Sequence, residues 1–362
     1  MPDFTLNADG IAHGGWTKLS ITRSMEQLAH SFSVAMTDKW ADQKEPVPLH
    51  KFDSVNVEYS DDKRRQLVTT GFIDKTSLRY SATERTLGFI GRSITEDLVD
   101  CAAIRKPGSW INVGLLKIAQ DLCAPYAISV SAMGADLGGL FKQRFTIQDG
   151  ETVFECLDRA CRMRGVVMNT TGAGSLIFQQ CGQTKVATVL EYGKNILECD
   201  SYDSMEERFS DYIVKIQTSA GGLDGDTYSG DKLVQKATSK DGHVPRYRPT
   251  IVMGETGETG TLCQKRADWE CAVRAGRANR VTYKVDGWAH SQGLWEPNTI
   301  VHVIDRNREC DDDLLIVTTT ATRDGNEGTH TDLECTFPEG FLPKPIAATK
   351  STKKNPFEMA PK

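Results

Sequence analysis

At 362 residues the chain exceeds what one ordinary core requires, so two or three domains are expected. Hydrophobic residues at 39% and charged residues at 25% give the balance of a soluble globular protein. No apolar run approaches the ~20 residues that span a bilayer, and "MPDFTLNADG" lacks the basic-then-apolar layout of a secretory leader. A net charge of −6 and a pI near 5.7 set aside generic binding to nucleic acid or anionic membrane, which needs a basic field. Folding in a cytoplasm without stable membrane insertion is the expectation.

In chain order, "LSITRSMEQLAHSFSVAMTDKW" opens with Leu19, Ile21 and Arg23 alternating as a strand. Ser24-Met25-Glu26-Gln27 then reads as a capping box starting one helical turn, and Phe32, Val34 and Met36 alternate again. "SVNVEYS", "QLVTTGFIDKTSLRY" and "ERTLGFIGRS" follow as strands around the charged turn "DDKRR", which predicts an antiparallel barrel or small sandwich to about Arg92. From Ser93 to Asp200 the period shifts. One helix is predicted in "SWINVGLLKIAQDLCAPY", with Ser109 as cap, Ile111, Leu115, Ile118, Ala119 and Leu122 inward, and Pro125 closing it. A second lies in "ETVFECLDRACRMRG", with Asp149 as cap, Val153, Phe154, Leu157, Ala160 and Cys161 buried, and Gly165 as the left-handed stop. "VVMNTTGAGSLIF" predicts a hairpin around Gly172-Ala173-Gly174. After the strand "ERFSDYIVKIQTS" comes a polar stretch from about 220 to 260, then the helix "TLCQKRADWECAVRAGR", then the strands "VTYKVDGW", "TIVHVIDR", "DLLIVTTTATRD" and "HTDLECTF". The Lys- and Pro-rich tail from Pro343 predicts disorder. The overall class is α+β and β-rich. The expected division is 1–95, 96–200, 201–342 with a long loop at 220–260, and a flexible tail at 343–362.

Two stretches share a layout. "VNVEYSDDKRRQLVTTGFIDK" and "VHVIDRNRECDDDLLIVTTTATRD" each run alternating strand, charged turn, apolar strand with Val-Thr-Thr, next strand. Upstream, "SMEQLAHSFSVAM" and "ECAVRAGRANRVTYKV" each lead a helical piece into a strand. Either this is chance self-similarity of β segments, or the chain carries two copies of one β unit separated by an α+β insertion.

Residues for catalysis do not stand out. The ten cysteines form no C-x-x-C pair and no zinc-finger spacing with His, so buried free thiols are expected. "GETGETG" lacks the Lys-Ser/Thr of a phosphate loop, "GGLDGD" does not sit between strand and helix, and "DDD" (311–313) and "DGNEG" (324–328) read as solvated turns rather than calcium loops. No G-x-S-x-G elbow or H-E-x-x-H helix is present, and the seven His residues are dispersed. No catalytic, cofactor-binding or metal residue is therefore assigned. Basic residues on the last helix, Lys265, Arg266, Arg274 and Arg277, form either a partner-facing stripe or an ordinary solvated face. Arg246, Tyr247 and Arg248 in a loop carry the residue types that protein interfaces favour. The candidate partner interface is Arg246, Tyr247, Arg248, Lys265, Arg274 and Arg277.

The order and spacing of "LSITRSMEQLAHSFSVAMTDKW", "VTTGFIDKTSLRYSATERTLGFIGRSITEDLVDCAA", "FTIQDGETVFECLDRACRMRGVVMNTTGAGSLIF", "RYRPTIVMGE" and "DGNEGTHTDLECTFPEGF" resemble the baseplate hub proteins of Mu-like contractile-tailed bacteriophages over most of the chain. That family looks like the hub of phage T4 and the upper part of type VI secretion spike proteins. The resemblance implies two tail-tube-like antiparallel β-barrels with inserted α+β domains, in a ring-shaped homotrimer within a virion assembled in the host cytoplasm. It implies a structural adaptor, not an enzyme, whose partners are its own copies, the tail spike, the tail tube and other baseplate proteins. DNA would pass only in transit through a central channel. Two readings compete: a cell-wall hydrolase of the tail tip, and a β-rich adhesin or carbohydrate-binding module with exposed aromatic platforms.

Overall fold

The computed structural model describes residues 3–37, 49–82, 85–134, 137, 139–141, 144–217, 234–253, 260–325 and 327–341. It contains two compact units, one of Met1–Arg208 with Ala272–Pro343, the other of Phe209–Cys271 with Lys344–Lys362. The tail beyond 341, and the segments 218–233 and 254–259 that hold "GGLDGD" and most of "GETGETG", lie outside the described residues.

The first unit starts with strands β1 (Asp3–Ala8), β2 (Ile11–His13), β3 (Lys18–Ser24), β4 (Ser31–Thr37), β5 (Ser54–Ser60), β6 (Arg65–Tyr80) and β7 (Arg85–Ser93). β3 and β4 alternate buried and exposed residues as the sequence pattern requires, and Leu19, Ile21, Phe32 and Val34 are core. Between them no helical turn forms. The Ser24 hydroxyl accepts from the amide of Glu26, closing a short turn. The chain then arches so that Leu28 enters the neighbouring α+β core. The Leu28 carbonyl accepts from the hydroxyls of Thr95 and Thr170, at 3.3 and 2.7 Å, and Ser93 exchanges two bonds with the backbone of His30. These long-range partners satisfy the arch's polar groups, which is why it need not become a helix.

The α+β part holds α1 (Glu96–Asp100), α2 (Leu115–Cys123), β8 (Val130–Met133), α3 (Val153–Arg162), β9 (Val167–Thr170) and β10 (Leu176–Gln179). Helix α2 begins after Gly114, not at Ser109. Ser109 and Trp110 instead pair with Thr146 and Phe145, and Ile111, expected inward, is exposed. Trp110 is withdrawn into the core, where its Nε1 donates to Asp121 and Arg105 stacks on its ring. Helix α3 is capped by Thr152, not Asp149, through a reciprocal box with Glu155. It buries Val153, Cys156, Leu157, Ala160 and Cys161, and Gly165 with φ +66° ends the segment as expected. The β9–β10 hairpin turns at Gly172, where a Cβ would lie 2.1 Å from the Leu67 carbonyl, so only glycine permits this approach to β6.

Strand β11 (Ile196–Asp203) leads out of the first unit. The second unit carries β12 (Asp211–Gln217) between antiparallel β13 (Val234–Lys240) and parallel β14 (Pro249–Met253). Two strands thus lie inside the stretch expected as a long loop. Helix α4 (Gly260–Ala278) packs Cys263 and Ala267 on Val214 within this unit. Its end, from Ala272, belongs to the first unit, where the Thr336 hydroxyl donates to the carbonyls of Gly276 and Asn279. The chain then enters β15 (Asn279–Asp286) directly, followed by β16 (Thr299–Asp305), β17 (Cys310–Asp324) and β18 (Gly328–Thr336). Asp311–Asp313, expected in a turn, lie on β17 opposite β16, with His302 between Asp311 and Asp313.

Eleven of these strands run in the order β11-β15-β18-β17-β3-β4-β7-β6-β5-β1-β2 in one fourteen-stranded sheet, with β16 also on β17. The expectation of two separate barrels is corrected in this respect: β17 pairs with β3, so the halves share one ladder, and no closed barrel forms among the described residues. The repeat is nevertheless present in the topology. The order β3-β4-β7-β6-β5 matches β11-β15-β18-β17-β16 strand for strand. Each long strand has a β-bulge against its hairpin partner, at Asp74 in β6 and Val317 in β17. Matching those bulges equates Ile73 with Ile316, so the two Val-Thr-Thr triplets are not equivalent. It also equates β3 with β11, and thereby Ser24-Met25-Glu26 with Ser204-Met205-Glu206. Both serines accept from the amide two residues on, at 3.1 and 3.2 Å. In the first copy the chain returns to the sheet after this turn; in the second, the Phe209–Cys271 part of the second unit intervenes before β15.

Candidate partner interface

The residues singled out by sequence fall in both units. Arg246 and Tyr247 are exposed on the turn between β13 and β14, Tyr247 at 86%. That turn is held by its neighbour: the Arg248 amide donates to the Ser210 hydroxyl at 2.8 Å, the Arg248 carbonyl accepts from the Ser210 amide, and the Arg248 guanidinium lies over Phe209. Lys265 is exposed on α4 in the same unit. Arg274 and Arg277 belong to the first unit, where they tie backbone together. Arg277 donates to the Gly340 carbonyl and faces the Phe341 ring, and Arg274 donates to the Glu207 carbonyl. Nearby, Arg280 bridges Glu26 of the arch and Glu334 of β18, which holds its guanidinium well above the ordinary value.

Sequence reasoning missed a second surface, the two unequal ends of the duplicated sheet. β3 is buried against β17, with Leu19 and Ile21 each 2% exposed. Its counterpart β11, apart from an isolated bridge between Ile196 and Tyr192, pairs only with β15 among the described residues and is exposed from Leu197 to Asp203. Leu197 and Tyr202 are each 60% exposed, and a groove of about 300 Å³ beside them is lined by Tyr192, Ile196, Cys199, Asp305 and Arg308. On β6, residues 75–80 pair with β7 alone among the described residues, and Leu78 and Tyr80 face solvent. Charges differ between the two edges: β11 carries Glu198, Asp200 and Asp203, whereas this end of β6 carries Lys75 and Arg79. The signal available in sequence was the repeated Ser-Met-Glu, which marks β11 as a second β3.

Burial pushes the thiols of Cys123 and Cys156 up to about 12, so these cysteines behave as apolar packing groups rather than nucleophiles. Trp16, Trp110, Trp288 and Trp295 are buried and offer no aromatic platform.

Three family models match the chain: the N-terminal domain of Mu phage baseplate assembly protein GpP-like at residues 3–93, the second domain of baseplate hub protein gp44-like at 95–180, and the fourth domain of Mu phage baseplate assembly protein GpP at 259–344. Baseplate hub protein gp44 of Escherichia phage Mu is 34% identical over 356 residues, covering 97% of this chain and 91% of that protein. The chain belongs to the baseplate hub family of Mu-like phages. Among solved structures, the hub fold here is similar to the 43 kDa tail protein of prophage MuSo2 from Shewanella oneidensis, with a TM-score of 0.81, 31% identity, and coverage of 94% and 99% of the two chains. The tail protein from Neisseria meningitidis MC58 shares the fold at a TM-score of 0.77 and 22% identity, covering 96% and 99%. This hub is a structural part of a phage tail baseplate and not an enzyme, as its relatives are.

Proposed function

We propose that the hub works as a ring-shaped homotrimer joining the central spike to the sixfold tail tube, with a channel for DNA during ejection. The observation that carries this is the duplicated five-strand unit within one chain: three chains supply six such units, so one object is threefold by chain and sixfold by strand unit. Each unit completes a tube-like barrel only when its open edge meets a neighbour. The working division is two tube-like segments, 1–95 and 201–342, flanking an α+β part at 96–200. Assembly takes place in the host cytoplasm, before the hub joins the virion.

The purified hub should have the mass of three chains in solution, and imaging should resolve a ring with a pore and pseudo-sixfold features on one face. A stable monomer, unchanged when spike protein is added, overturns the reading. The turn at Arg246-Tyr247-Arg248, with Lys265 of the same unit, is proposed as a surface for the spike or baseplate, and Arg274 and Arg277 of the first unit as a separate one. Arg246→Glu with Tyr247→Ala should abolish co-purification with a baseplate partner while leaving the trimer intact. Unchanged co-purification removes this surface from consideration.

A further inference from the structure

We propose that the sheet face of the second unit turned away from α4 seats one acidic amphipathic helix of another protein. This deepens the reading of the Arg246-Tyr247-Arg248 turn as a partner surface and rests on it, since that turn runs directly into β14. Strand pairing fixes which side chains share a face. Ala237, Val214 and Val252 stand side by side on β13, β12 and β14, and this row packs on Cys263 and Ala267 of α4. Successive residues of a strand point to opposite faces, so the alternate rows point away from α4. Those rows are Lys236-Lys215-Met253, Thr238-Ile213-Ile251 and Lys240-Asp211-Pro249. Their members on β13 and β14 are all exposed, Ile251 at 56% and Met253 at 66%.

The layout of this face selects its occupant. Three lysines against one aspartate give it a surplus of positive charge in a chain whose net charge is −6. Among the described residues, Lys215, Lys236 and Lys240 have no ion pair. The lysines lie on β13 and at Lys215, whereas the apolar side chains lie on β14 and at Ile213. A fitting partner therefore brings carboxylates along one side and apolar groups along the other, as an amphipathic helix does. A nucleic-acid backbone would answer the lysines but leave Ile251 and Met253 without apolar contact. Three strands spaced about 4.8 Å apart make a face about 10 Å wide, which is the width of one helix. On the opposite face, α4 already covers the same three strands as a single helix.

The test uses the full-length hub in assembled tails, with photoreactive benzoylphenylalanine in place of Ile251 or, separately, of Tyr247. Irradiation should join the Ile251 probe to another tail protein. Mass spectrometry should map the joined peptide to a helix that carries Asp or Glu beside an apolar stripe. Lys236→Glu with Lys240→Glu, at two exposed positions, should cut that yield at least tenfold and leave the native mass of the purified hub unchanged. Changing the mapped acidic residues to Lys in the partner should restore it. A product from Tyr247 with none from Ile251 overturns the seated helix and leaves the turn reading standing. No product from either position overturns both. An Ile251 product on DNA, on a second hub chain or on a segment without acidic residues overturns the proposal, as does a yield that the lysine reversals do not move.

Discussion

His30 shows how a single side chain reports the quality of the arch. It is 4% exposed, its Nδ1 faces the Thr69 hydroxyl, and burial, reinforced by the positive charge of Arg23, pushes its pKa down to about 3. The folded protein therefore binds fewer protons at this site than the unfolded chain, whose histidine titrates near 6.5. Stability from this group is complete above pH 6.5 and is lost as pH falls toward 3, at about 1.4 kcal/mol per pH unit. Between pH 7 and 5 the chain should lose on the order of 2 kcal/mol through His30. Denaturant midpoints of the wild type and His30→Gln at the two pH values measure this, since the variant should lack that part of the slope. Equal slopes would mean that other groups govern acid sensitivity.

Among elements, the arch between β3 and β4 ties the sheet to the α+β core, with Leu28 5% exposed amid α1, α2 and α3 residues. Leu28→Ala should cost about 2–4 kcal/mol, the usual range for a buried leucine whose surroundings cannot collapse. Thermal unfolding of the two proteins checks it, and a loss under about 1 kcal/mol would mean the arch is loosely seated. This element also marks where sequence reasoning stops. The strands on either side were legible because alternation is a local signal, as were the stripe of α3 and its glycine stop. The arch was misread as a capped helical turn because its Ser, Glu and Gln satisfy the local rule for a cap. The partners that decide its shape, Ser93, Thr95 and Thr170, lie over 60 residues away in sequence. The same holds for α2, whose early residues were drawn off by Trp110, and for the Val-Thr-Thr match, which only strand pairing shows to be out of register.

For the whole molecule, the duplicated layout was visible in sequence but its junction was not, because edge-to-edge pairing depends on which strands lie free after folding. The candidate interface was read from residue type alone, and type does not separate Arg277, bound to a backbone carbonyl, from the exposed Tyr247. The ring reading carries an electrostatic expectation suited to the mildly acidic chain: a channel that passes DNA without holding it should lack a basic lining. Imaging of the assembled hub at side-chain detail tests this, and a lumen lined mainly by Lys and Arg would count against it.

The β17·β3 junction has a kinetic consequence as well. Because both strands belong to one chain, this contact forms whenever the chain folds, at an effective concentration set by the tether rather than by protein supply. Of six junctions in the proposed ring, three would exist before any two molecules meet. Only the other three would depend on concentration, and the last of them would close intramolecularly. Carrying two copies in one chain would thus replace a six-body association with a three-body one.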